Sequence, residues 1–109
     1  MVLTFRETVL FTKQVVEKLE DAEYLKLQSA LMMQPDLGDL IPDSGGLRKL
    51  RWVESRRGRG KRGGVRVIYY WYAPVELIYF LLMYSKSEQD DLSASQKKAL
   101  RQLIAREFK

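Results

Sequence analysis

The chain has no cysteine and no histidine among its 109 residues. Without cysteine it has no disulfide scaffold, cysteine-based zinc site or cysteine nucleophile. Without histidine it has no imidazole acid–base chemistry, and carboxylates are its only good metal ligands. The aspartates and glutamates do not show ligand spacing, so we expect neither a metal nor another cofactor. The G-x-S-x-G motif of serine hydrolases is also missing.

Long apolar runs are missing as well. The longest, Leu77 to Tyr84, is far shorter than the roughly 20 residues that a membrane-spanning helix needs. Arg6 and Glu7 interrupt the N-terminus, so no signal peptide fits. We therefore expect a cytoplasmic protein without a membrane partner, folded as one domain over residues 1–109.

Positive charge is concentrated between Arg48 and Arg66. This segment holds nine cations and one anion, Glu54, for a net charge of +8. The rest of the chain holds ten cations and thirteen anions, so the formal charge of +5 conceals a net −3 elsewhere. Such a strip suits a polyanion, and we expect it to contact nucleic acid. One alternative is that the segment is a solvated charged loop. The other is that it binds an anionic membrane surface, but the segment is not next to the amphipathic helix that such binding would need.

Apolar periodicity predicts an α+β fold with the element order β-α-α-β-β-β-α. The last three strands, joined by short links, are expected to form an antiparallel sheet covered by the helical hairpin and a C-terminal helix. Thr8 and Asp21 are expected to cap the first two helices, and Ser93 begins a capping box with Gln96. The predicted strands are 2–5, 47–53, 65–72 and 77–85. The predicted helices are 9–18, one that follows the Asp21 cap and ends near residue 33, and one from residue 93. Residues 37–46 are predicted to be a loop.

The link between the second and third predicted strands is rich in glycine and arginine. Gly58, Gly60 and Gly63 match G-x-G-x-x-G, but a dinucleotide site needs a following helix, and V-R-V-I-Y-Y-W-Y predicts a strand. We interpret the glycines as letting the hairpin cations adapt to a phosphate backbone. The predicted RNA- or ribosome-binding residues are Arg48, Arg56, Arg57, Arg59, Lys61 and Arg62.

Cations and a tyrosine are expected to converge at one end of the sheet. Alternation puts Lys49 and Arg51 on one strand face, and Arg66 begins the next strand. Tyr84 and Lys86 share a face where the last strand ends. Such a group can grip a phosphate and stabilise charge that develops on it. Two structural alternatives stay open, with Tyr84 as a core aromatic and Arg66 in a salt bridge to an acidic helix.

Three blocks of the chain resemble the RelE/HigB toxins of bacterial toxin–antitoxin systems. They are G-G-L-R-K-L-R-W from Gly45, G-K-R-G-G-V-R-V-I-Y-Y from Gly60 and Y-S-K-S-E-Q-D-D-L from Tyr84. The resemblance covers essentially the whole chain. It implies a RelE-like fold and a ribosome-dependent endoribonuclease, which cuts translated mRNA in the A site without a metal, by attack of the ribose 2′-OH on the adjacent phosphate. It also implies a cognate antitoxin, usually with a helix-turn-helix domain, whose complex with the toxin binds operator DNA.

The resemblance also implies roles for particular residues. The family's basic pair falls on Lys49 and Arg51, and its strand arginine falls on Arg66. Without histidine, a general base must be a lysine, a tyrosine or a carboxylate. Crowded cations make a lysine lose its proton more readily, so Lys49 or Lys86 is a candidate, with Glu54 as a carboxylate alternative.

One part of the family pattern is missing. A later arginine and a tyrosine of the best-known members fall on Ser87 and Ser93 here, and we expect Tyr84 or Lys86 to substitute. The predicted catalytic residues are Lys49, Arg51, Arg66, Tyr84 and Lys86.

Two other functions are compatible with the same residues. One is a non-catalytic module that binds RNA, DNA or the ribosome through the basic hairpin, which predicts salt-dependent binding without cleavage. The other is a toxin of the same fold that poisons DNA gyrase, which should not need a phosphate-cleaving site.

Overall fold

A computed structural model describes residues 2–53 and 64–108 of the chain. The predicted α+β element order is confirmed, with one added short strand in the segment predicted to be a loop. The elements are β1 (Thr4–Glu7), α1 (Val9–Lys18), α2 (Asp21–Met33), β2 (Asp39–Leu40), β3 (Leu47–Trp52), β4 (Val65–Tyr72), β5 (Leu77–Ser85) and α3 (Ala94–Glu107), with a 3-10 turn (Ala73–Val75) between β4 and β5. None of the helices in the described ranges is long and apolar enough to span a membrane.

The strands form one sheet in the order β1-β5-β4-β3-β2. Strands β2 to β5 are antiparallel neighbours, which confirms the predicted meander. β1 differs from the prediction of an antiparallel sheet, because it pairs in parallel with β5, with Thr4 opposite Leu77. The helical hairpin separates β1 from the meander in sequence, and a parallel pair requires such a long crossover.

Helices cover both faces of the sheet, which explains the uninterrupted apolar sequence of β5. On one face α1 and α2 bury a core that includes Phe11, Leu27 and Phe80. On the other face α3 packs through Ile104 against a second core that includes Leu47. The predicted helical hairpin over one face is therefore correct, and the C-terminal helix covers the opposite face.

Side-chain caps fix the start of two helices as predicted. The Thr8 hydroxyl accepts the Phe11 N–H at 3.0 Å at the start of α1. Ser93 and Gln96 form the full capping box of α3. The prediction that Asp21 caps α2 is wrong. The capping position is Glu20. Asp21 lies in the first turn, where its negative charge interacts favourably with the positive end of the helix dipole.

The segment between α2 and β2 is fixed by Tyr69 of β4. The Tyr69 hydroxyl accepts the Gly38 N–H at 2.9 Å and donates to the Pro35 carbonyl at 2.7 Å. A Cβ at position 38 would lie 2.9 Å from the Tyr69 ring and 3.1 Å from the Lys49 carbonyl oxygen. Glycine is therefore needed here, and the tight packing of this loop fixes the strand that carries the basic pair.

Candidate functional site

A cross-strand row of polar side chains lies on the sheet face that α3 covers. Arg51 of β3 is directly opposite Arg66 of β4, and Arg66 is directly opposite Tyr84 of β5. Lys49 is two residues before Arg51 and so lies on the same face. The structure thus brings together four of the five predicted catalytic residues through strand register alone.

The fifth predicted residue, Lys86, lines the same cavity as the basic residues of the row. This surface cavity has a volume of about 650 Å³ and is lined by Lys49, Arg51, Arg66, Lys86, Asp39 and Asp90. Arg66 is only 6% exposed, whereas Lys86 is exposed. The cavity therefore has one buried and one exposed cation in its lining, and its volume lies within the usual range of small-ligand sites.

Tyr84 lies below this surface, because it is only 2% exposed and its ring belongs to the α3-side core. Its hydroxyl is buried and has no hydrogen-bond partner within residues 2–53 and 64–108. Burial raises the pKa of the phenol, the negative charge of Asp91 raises it further, and the positive charge of Arg66 partly opposes both. The phenol is therefore held in its protonated form between a cation and an anion.

Asp91 makes an ion pair with Lys49, with 3.1 Å between Lys49 Nζ and Asp91 Oδ1. The hydrogen bond from Lys49 holds the pKa of the Asp91 carboxyl below its usual value, and the Leu92 N–H contributes to the same effect. From the sequence, Asp90 and Asp91 are expected to be solvated or to lie near a helix N-terminus, and the ion pair with Lys49 is not predicted. The available signal was a carboxylate pair, Asp90 and Asp91, just beyond the strand that ends at the cationic group.

Arg48 is separate from this group, since it alternates with Lys49 and points to the opposite face of the sheet. Its guanidinium donates to the Gly38 carbonyl at 2.7 Å and to the Asp36 carbonyl at 3.4 Å. Arg48 therefore stabilises the segment between α2 and β2. The other predicted RNA-binding residues and Glu54 lie outside the described residues, namely Arg56, Arg57, Arg59, Lys61 and Arg62.

The two serines at the positions where the family pattern is missing form local hydrogen bonds. The Ser93 hydroxyl caps α3, and the Ser87 hydroxyl lies 3.0 Å from that of Ser85. Among the residues that the structure describes, no group of three or more carboxylates is arranged to hold a metal ion. The cavity itself presents four cations and the carboxylates of Asp39 and Asp90. The Tyr84 phenol is buried below it, and Asp91 is ion-paired with Lys49 of the lining.

Comparison with known proteins supports the fold. No family model matches the chain. Among solved structures, the chain is similar to a free-state mutant of the E. coli toxin RelE in which two arginines are replaced by alanine. The TM-score is 0.60 at 12% sequence identity, and the alignment covers 99% of this chain and 100% of that chain. The chain therefore has the RelE-like fold that its sequence blocks imply.

Proposed function

We propose that the chain is the toxin of a toxin–antitoxin system and acts as a ribosome-dependent endoribonuclease on translated mRNA. The observation that carries this proposal is the cross-strand row of Arg51, Arg66 and Tyr84, with Lys49 beside it, at one cavity of a RelE-like fold. Closely spaced cations around a cavity suit a phosphodiester, because guanidinium groups bind phosphate oxygens through charge-assisted hydrogen bonds.

In the proposed reaction the ribose 2′-oxygen attacks the adjacent phosphorus and gives its proton to a base. The bond between phosphorus and the 5′-oxygen breaks, and the 5′-oxygen takes up a proton. The products are a 2′,3′-cyclic phosphate and a 5′-hydroxyl end. Negative charge grows on the non-bridging oxygens in the transition state, where Arg51 and Arg66 would stabilise it.

The tyrosine and the lysines would divide the remaining work. The Tyr84 hydroxyl is a buried donor without a partner in residues 2–53 and 64–108, and it would reach a phosphate oxygen only if the side chains that cover it moved. Lys49 is ion-paired with Asp91, which suits a phosphate ligand better than a base. Lys86 is an exposed residue of the cavity lining and is our candidate for the proton exchange with the 2′-OH.

Dependence on the ribosome follows from the modest strength of these groups. A lysine and a phenol are weak acid–base catalysts at neutral pH, so much of the rate must come from holding the mRNA with the 2′-oxygen in line with the phosphorus. The ribosomal A site would supply this orientation. An antitoxin, proposed to carry a helix-turn-helix domain for operator DNA, would present an acidic segment that competes for the same cations.

The proposal is tested by primer extension on mRNA recovered from a translation reaction that contains the purified protein. We expect cuts that require ribosomes and that lie within the translated region. Arg66→Ala should abolish the cuts while ribosome binding in a pelleting assay is largely kept. Lys13→Ala, which removes an exposed cation from α1, should cut like the wild type.

Three outcomes would contradict the proposal. Intact mRNA with unaffected translation would reject it outright. Salt-dependent ribosome binding without cuts, weakened by Arg66→Ala no more than by the loss of another strip cation, would favour a non-catalytic binding module. Inhibition of DNA supercoiling that survives neutralisation of both Lys49 and Arg51 would favour a gyrase-directed toxin.

A further inference from the structure

Asp91 connects the basic pair to the segment that follows β5. Its Oδ1 atom accepts the Lys49 ammonium at 3.1 Å and the Leu92 N–H at 3.0 Å. Lys49 belongs to β3, whereas Leu92 lies just before α3. A single carboxylate therefore ties a strand in the middle of the sheet to the start of the last helix.

The segment that carries Asp91 is itself held by several hydrogen bonds. Glu88 accepts the Ser85 N–H at 2.8 Å and pairs with Lys18 of α1 at 3.2 Å. The Gln89 side-chain amide donates to the Asp91 carbonyl at 2.7 Å and to the Gln96 side chain at 2.9 Å. The backbone of Asp91 is thus positioned from both ends of the segment, although its side chain is 70% exposed.

Without a partner, the Lys49 ammonium would not keep one position at the cavity. A lysine side chain has four rotatable bonds, and fixing them costs conformational entropy. Lys49 is 34% exposed, so packing does not fix its end. The ion pair with a braced carboxylate fixes the ammonium at the cavity before a ligand arrives, which is how a rigid supporting shell serves a binding site.

We propose that Asp91 is a positioning residue, which holds the Lys49 ammonium in the orientation that the proposed phosphodiester cleavage needs; this inference rests on the proposed function. Asp91 is not the general base, because the Lys49 hydrogen bond stabilises its ionised form and makes it a weaker proton acceptor.

The first test needs only the folded protein. Competitive acetylation with acetic anhydride, followed by mass spectrometry, measures the reactivity of Lys49 relative to Lys13 in the same molecule. Asp91→Asn should raise the relative reactivity of Lys49 several-fold, because the amine loses the partner that shields it. Asp90→Asn removes the same charge from the neighbouring residue, which lines the cavity, and should leave this ratio close to that of the wild type. An unchanged ratio in Asp91→Asn would overturn the inference.

The second test is single-turnover cleavage on programmed ribosomes. Asp91→Asn should lower the maximal rate by about 10-fold or more, in line with a small misplacement of a catalytic group. The concentration of the protein at half-maximal rate, with the protein in excess over programmed ribosomes, should not rise, since a negative charge has been removed from an RNA site. Asp91→Glu should recover part of the rate, and Glu17→Gln, an exposed change on α1, should match the wild type.

The outcomes separate this inference from the function on which it rests. An unchanged rate in Asp91→Asn, or a rate that rises because the carboxylate only repels RNA, would overturn the positioning role while cleavage itself stands. A wild-type protein that does not cleave mRNA would reject the proposed function, and with it the positioning role in cleavage, even where the acetylation result shows the ion pair in solution.

Discussion

At the scale of single residues, the basic row carries a built-in electrostatic penalty. Arg51 and Arg66 are directly opposite on neighbouring strands, and like charges in this position are destabilising. Arg51→Gln should therefore raise the free energy of unfolding by up to about 1 kcal/mol at low salt. The gain should shrink as salt is added, because the repulsion is screened.

Urea unfolding at two ionic strengths measures this effect. Lys13→Gln, which removes an exposed cation from α1, is the control and should show no comparable gain. A lower stability of Arg51→Gln at low salt would show that Arg51 contributes favourable contacts that exceed the repulsion.

Two buried tyrosines should respond in opposite ways to loss of the hydroxyl. Tyr84→Phe removes a hydroxyl without a partner in the described part of the chain, so stability should stay the same or rise by up to about 1 kcal/mol, while mRNA cleavage slows. Tyr69→Phe leaves the Gly38 N–H and the Pro35 carbonyl without their hydrogen-bond partner, and it should lower the free energy of unfolding by about 1–3 kcal/mol. Equal destabilisation of the two variants in urea unfolding would contradict this contrast.

The residues of the row were predictable, whereas their chemical environment was not. Strand alternation alone puts Lys49 and Arg51 on one face, and a meander brings Arg66 beside them. The pairing of Lys49 with Asp91 depends on where the segment after β5 turns, and local sequence does not encode that path. The orphaned hydroxyl of Tyr84 depends on burial by α3, which only the tertiary packing reveals.

At the scale of elements, the segment between β5 and α3 should be sensitive to acid. The hydrogen bond from the Ser85 N–H is the largest cause that lowers the pKa of Glu88, and Lys18 adds to it. The hydrogen bond from Lys49 lowers the pKa of Asp91. Both native carboxyls thus bind protons less readily than in the unfolded chain. Their contribution to stability is complete above the usual carboxyl pKa of about 4 and is lost as pH falls through the lower native values.

Thermal unfolding between about pH 5 and pH 2.5 measures this contribution. The wild-type Tm should fall with decreasing pH, and the fall should be smaller in the double variant Glu88→Gln/Asp91→Asn. The same slope in both proteins would show that these two carboxyls do not contribute to the acid sensitivity.

Sequence patterns predicted most elements and missed those without a pattern of their own. The α1 and α3 caps and the long strands follow from Thr8, the Ser93–Gln96 box and β-branched or aromatic runs. β2 has only two residues, and its pairing with β3 is decided by the packed loop around Gly38. The parallel position of β1 was missed because periodicity reports the type of an element and not its neighbour.

At the scale of the whole molecule, the two faces of the sheet carry different kinds of side chain. The face under α1 and α2 holds an apolar core, and its strand arginine, Arg48, braces a loop. The face under α3 carries the basic row at the point where the sheet extends beyond its second core. The 12% identity to the RelE structure is consistent with this division. The alternation of apolar and polar side chains along the strands is enough to place helices on both faces of the sheet, and most individual residues can differ.

The parallel strand β1 also ties the finished site to the order of synthesis. Thr4 faces Leu77 and Glu7 faces Phe80, so β1 must wait for most of the later chain before it has a neighbour. Chains emerge from the ribosome N-terminus first, and contacts so distant in sequence form late. Asp91 emerges after β5, so its ion pair with Lys49 can form only after β5 has been synthesised. A nascent copy therefore lacks the complete cavity lining until Asp90 has emerged, and under the proposed function this delay would spare the mRNA that encodes it during its own translation.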